Sequence, residues 1–115
     1  MPSKQQMITK CRSNIYELND AIMAKENDHE MRTSARCVYR ALSKFANKSE
    51  NFPNFPKLDE LEFIEANPNY TQLLLTANED LVVNCCEDLD SKVPDLKLLN
   101  AAIESLLYYV GDSNE

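Results

Sequence analysis

An all-α fold, a single-domain bundle of four to five helices, is what this chain predicts, and three observations predict it. Only one glycine occurs in 115 residues, whereas tight hairpin turns and phosphate-cradling loops depend on residues that tolerate positive φ. Five segments repeat their apolar residues at spacings of three and four, the period of one helix face. No segment alternates cleanly at the period of two that marks a strand.

Helix A is expected over about residues 3–25, where Ile8, Cys11, Ile15, Leu18 and Ile22 form one stripe. Helix B follows over about 28–47, opened by a capping box of Asn27 and Glu30 and striped by Met31, Ala35, Val38, Leu42 and Phe45. The tandem Asn51-Phe52-Pro53-Asn54-Phe55-Pro56 forces extended geometry before each proline and forms the main connector. A short acidic helix C, about 58–66, turns Leu58, Leu61 and Ile64 inward until Asn67-Pro68 stops it. Helix D, about 70–90, is capped by Asn69 with Gln72 and presents Leu74, Ala77, Leu81, Val82, Cys85 and Leu89; Thr76 to Glu79 offers an internal cap that would divide it. Helix E, about 94–110, starts on Pro94 and Asp95 and stops at Gly111. Its apolar residues cover about half its girth, which predicts the central helix of the bundle. The domain is thus expected over residues 1–110, with a short acidic tail at 111–115.

A chain of this length holds one hydrophobic core, and 43% hydrophobic with 27% charged residues is an ordinary globular composition. No apolar run is long enough to span a bilayer and no secretory leader opens the chain, so an intracellular protein, cytoplasmic or nuclear, without membrane contact is expected. Three of the four cysteines, Cys11, Cys37, Cys85 and Cys86, fall on apolar helical faces, where a reduced thiol acts as a small hydrophobe. No Cys-x-x-Cys pair is present and His29 is the single histidine, so neither a zinc site nor a redox motif is spelled out. His29 has no serine, cysteine or acid spaced to make a triad legible, and one glycine cannot build a phosphate loop. No catalytic residue, metal or cofactor is expected, and the chain reads as a non-enzyme.

Charge is divided along the sequence. Residues 1–48 carry nine Lys/Arg against five Asp/Glu, hence +4; residues 49–115 carry three against fourteen, hence −11, which together give the net −7. Arg32, Arg36, Arg40, Lys44 and Lys48 recur at every fourth position of helix B and form a slowly winding basic ridge opposite its apolar stripe. Phe52 and Phe55 lie in an otherwise polar connector, and Leu73, Val83 and Tyr108 point away from the stripes of their helices. These ten residues are the candidate partner-binding set. They predict a protein-protein interaction module or small complex subunit whose partner has an acidic surface, with head-to-tail self-association as a further outcome of opposite charged faces. Nucleic-acid binding through the same ridge is the alternative, opposed by the negative charge of the second half.

Overall fold

Four helices emerge from that periodicity in a computed structural model, which describes residues 3–46, 69–87 and 92–112, with the side chains of 44–46 and 112 outside the description. They are α1 (Lys4–Met23), α2 (Asp28–Ala46), α3 (Tyr70–Glu87) and α4 (Val93–Asp112), and no strand occurs among the described residues. The expected helix C and the Asn-Phe-Pro connector lie outside the described residues.

Local chemistry sets the helix starts. Ser3 caps α1 in a full capping box: its hydroxyl accepts the Gln6 N–H at 3.2 Å, and the Gln6 side-chain oxygen accepts the Ser3 N–H at 2.8 Å. At α2 the Asn27 side-chain oxygen accepts the Glu30 N–H at 2.8 Å, as the Asn27/Glu30 spacing predicts. Helix α3 runs unbroken through Thr76 to Glu79, so the internal cap does not divide it; Leu75, Asn78, Leu81 and Val82 are anchored in the core on both sides of that point.

Gly111 does not terminate the last helix. It has no positive φ, and α4 continues to Asp112, two residues beyond the predicted end. The carbonyl of Val110 instead accepts a 2.8 Å hydrogen bond from the ammonium of Lys25, a side chain only 5% exposed. A cation on the last carbonyls complements the negative end of the helix dipole, so no left-handed turn is needed to satisfy that carbonyl.

The long-range pairs give the helix directions. Cys11 with Leu96, Asn14 with Asn100, and Lys25 with Val110 advance together, so α1 and α4 are parallel. Arg12 with Glu87, Asn19 with Leu75, and Met23 with Gln72 advance oppositely, so α3 is antiparallel to α1. Helix α2 begins after the four-residue turn Ala24–Asn27, and its Arg36 meets Tyr70, the first residue of α3. Helices α2 and α3 therefore start at the end of the bundle where α1 finishes. The most extensive packing is of α1 on α4 and of α2 on α3.

The core is continuous. Cys11, Ile15, Leu18 and Ile22 of α1, Ala35, Val38 and Leu42 of α2, Leu74, Leu81 and Val82 of α3, and Leu96, Leu99 and Ile103 of α4 are all buried in one cluster. Each fully buried aliphatic side chain stabilises the fold by about 1.5–3 kcal/mol relative to exposure. Met7, Tyr39, Tyr70 and Cys86 join them, whereas Ile8, Met31, Ala77 and Cys85 are only partly buried at its edge.

Helix α4 is not enclosed by the others. Leu98 is 63% exposed, Tyr108 74% and Tyr109 60%. A bundle of this size covers one side of each helix, and an apolar arc spanning half the girth exceeds what α1 and α2 can bury.

Candidate interaction surface

The basic ridge of α2 is divided by tertiary packing. Arg36 donates from Nε to the Tyr70 hydroxyl at 2.9 Å, and its guanidinium lies 5.6 Å from the Tyr70 ring centroid. Arg32 stands 4.8 Å from the same centroid and also lies 4.0 Å from Asp28, one turn back on its own helix. A ring close to two guanidiniums draws both toward the α2–α3 seam through its negative face. Arg32 and Arg36 are accordingly half-buried, while Arg40 is exposed. The Lys44 side chain, Lys48, Phe52 and Phe55 lie outside the described residues.

The off-stripe apolar residues differ among themselves. Val83 is half-buried. Leu73 is exposed, but along its face stand Thr76, Asp80 and Asn84, all exposed and polar. Tyr108 belongs to a larger arrangement. Pro94, Leu98, Ala101, Ser105, Tyr108 and Tyr109 are all exposed and fall within about 100° of the α4 circumference at 100° per residue. This band is uncharged from the first turn of α4 almost to its last. Lys97 and Glu104 border it on the α1 side, and Glu104 lies 3.6 Å from Lys10 of α1.

Of this band the sequence reading singles out only Tyr108. Leu98 and Tyr109 lie inside the broad apolar arc of α4 and are not in the candidate set. The signal that identifies them is the breadth of that arc: in a small bundle, the surplus has to face outward.

The acidic second half is used partly within the fold. Glu87 pairs with Arg12 at 3.1 Å, and Glu79 accepts from the Asn19 side-chain amide at 2.8 Å. Asn14 donates to Asn100 at 2.7 Å, and Asn100 in turn donates to Glu104 at 3.0 Å, a polar chain along the α1–α4 seam. His29 is exposed in the first turn of α2, and no group of three or more metal-ligating side chains occurs among the described residues. No helix among the described residues is long and apolar enough to cross a membrane. Compared with family models, curated proteins and solved structures, the chain matches none.

Proposed function

We propose that the chain is a non-enzymatic interaction module, a small subunit of an intracellular complex, whose uncharged α4 face receives an amphipathic helix of a partner protein. The observation that carries this reading is the clustering of Leu98, Tyr108 and Tyr109, each at least 60% exposed, on one arc with no charge among them. Leu98, Ala101, Ser105 and Tyr108 are spaced three, four and three, the repeat that a partner helix reads when apolar side chains interdigitate along a seam. Small Ala101 and Ser105 at the centre let a second backbone approach to about 8–10 Å, with Leu98 and the tyrosines as anchors at either end. Exposed Lys97 on the flank favours an acidic residue at the edge of the partner's stripe.

The α2 ridge has a lesser part in this reading. Two of its guanidiniums are engaged at Tyr70, which leaves Arg40 as its exposed member among the described residues. That engagement also weakens the nucleic-acid alternative, since phosphate neutralisation needs several cations presented together.

Affinity capture with the intact chain and with Leu98→Glu/Tyr108→Glu tests the assignment, combined with photo-crosslinking from position 101. A captured protein that crosslinks through a helical segment, and is lost in the double variant at unchanged melting temperature, supports it. Capture that survives this change but fails in Arg36→Glu/Arg40→Glu transfers the site to α2. A homodimer in sedimentation that the α4 double variant dissociates replaces the partner helix with a second copy of this chain.

A further inference from the structure

Helix α1 separates two seams. Lys10 and Asn14, which meet α4, lie about 180° around its axis from Arg12, Asn19 and Met23, which meet α3. The α1–α3 seam is thus remote from the α4 face. Tyr16, 49% exposed, and Met23, 46% exposed, stand two turns apart along it. Across from them, Gln72, Thr76, Glu79 and Val83 fall within about 60° of the α3 circumference. Gln72 donates to the Met23 sulfur at 3.8 Å, and Asn19 donates to Glu79 at 2.8 Å. With the Arg12–Glu87 pair these contacts set an antiparallel register that puts half-buried Val83 opposite Tyr16.

Charge beside this line has one sign. From residue 13 to its end α1 has no Lys, Arg or His, and α3 has none anywhere. Asp20 lies about 40° outward of Tyr16 on α1, and Asp80 about 40° outward of Thr76 on α3. Both are exposed, and the register sets them at about the same level on opposite banks of the seam. Neither takes part in an ion pair among the described residues. We propose that the α1–α3 seam is a second docking surface, which takes a basic amphipathic helix of a partner protein.

Each part of that occupant answers a feature of the seam. An apolar stripe covers Tyr16, Met23 and Val83, and the flexible Met23 thioether adapts to the side chains laid on it. Cations on the two flanks of the stripe meet Asp20 and Asp80, where carboxylates would be repelled. Tyr16 and Asp20 are one turn apart, so an arginine lying on the ring face also reaches the carboxylate. The α4 face, bordered by Lys97, favours the opposite charge. The two surfaces share no residue, so the chain selects a different partner on each side of α1 and bridges them.

The test titrates the intact chain with three synthetic peptides of about five helical turns. One has a leucine stripe flanked by lysine and arginine, the second the same stripe flanked by glutamate, and the third the composition of the first in scrambled order. Binding of the first at least about tenfold tighter than of the other two is expected, with amide NMR shifts concentrated at residues 16–23 and 72–83. Asp20→Lys/Asp80→Lys should weaken it about tenfold at unchanged melting temperature, and Tyr16→Ser/Met23→Ser likewise. Leu98→Glu/Tyr108→Glu should leave it unchanged, which separates this surface from the α4 face. Absence of binding, equal binding of the scrambled or the acidic peptide, or shifts centred on α4 or on Arg40 overturns the proposal. The shift map comes from the unsubstituted chain, so the outcome stands even where a variant does not fold.

Discussion

Helix α3 carries Asn78 into the core with neither its amide nitrogen nor its carbonyl oxygen hydrogen-bonded, whereas α4 carries Leu98, Tyr108 and Tyr109 out into solvent. The two departures from the inside-outside pattern differ in where their cost falls. A buried polar group without a partner loses its water on folding and gains nothing in return, so Asn78 weakens the folded state directly. An exposed leucine or tyrosine is hydrated before and after folding, so the α4 face leaves stability almost unchanged and is expressed only when another surface covers it. The irregularity of α3 is therefore read in melting experiments and that of α4 in association experiments.

The sharpest contrast lies between adjacent residues of α4. Leu99 is 2% exposed and Leu98 63%. Leu99→Ala should cost about 2–5 kcal/mol, the transfer term plus the cavity it leaves. Chemical denaturation with an unchanged m-value checks it, and a loss below 1 kcal/mol would mean that the α4 inner face packs loosely.

Asn78→Leu is expected to act in the opposite direction. The two side chains branch alike at Cγ, so the substitution keeps the shape while removing two unpartnered polar atoms. A gain of about 1–3 kcal/mol is expected, read as a rise in denaturant midpoint. Destabilisation would show that the Asn78 amide has a hydrogen-bonding partner, such as an internal water, in solution.

Tyr70→Phe has a smaller effect. The ring under Arg32 and Arg36 is retained and only the hydroxyl that accepts from Arg36 is lost, so about 0.5–1.5 kcal/mol is expected. The change also removes the Arg36 Nε–H bond to the hydroxyl; a gain of nucleic-acid affinity at physiological salt in this variant would restore the ridge as a binding surface. Smallest of all, Leu98→Ser should move stability by no more than about 0.5 kcal/mol, because the side chain has little to lose on the folded side. A larger loss would place Leu98 in the core and remove the centre of the proposed interface.

The helices themselves were legible from local patterns. The Asn27 cap, the proline at the start of α4, and the stripes through Ile15, Val38, Leu81 and Ile103 involve residues three and four apart, whose relation is set by helix geometry alone. Which of several apolar residues on a broad arc faces inward depends on how many neighbours a helix has, so Tyr108 was legible as an outward residue and Leu98 and Tyr109 were not. The ridge from Arg32 to Lys48 was visible in the sequence as a row of charges, but the loss of Arg32 and Arg36 to the Tyr70 ring follows from α2 packing on the start of α3.

Sequence by itself thus determined the helical class, the places where the helices begin and the stripes that form the core, because each rests on contacts within one or two turns. Tertiary structure alone decided the rest. Lys25 replaces Gly111 at the end of α4, Asn14 meets Asn100, and Arg12 meets Glu87 through pairs 75 to 86 residues apart. Such pairs have no period to reveal them. They come into contact because burying four apolar stripes in one core fixes the helix directions, and those directions bring the polar and thiol side chains at the seams within bonding distance.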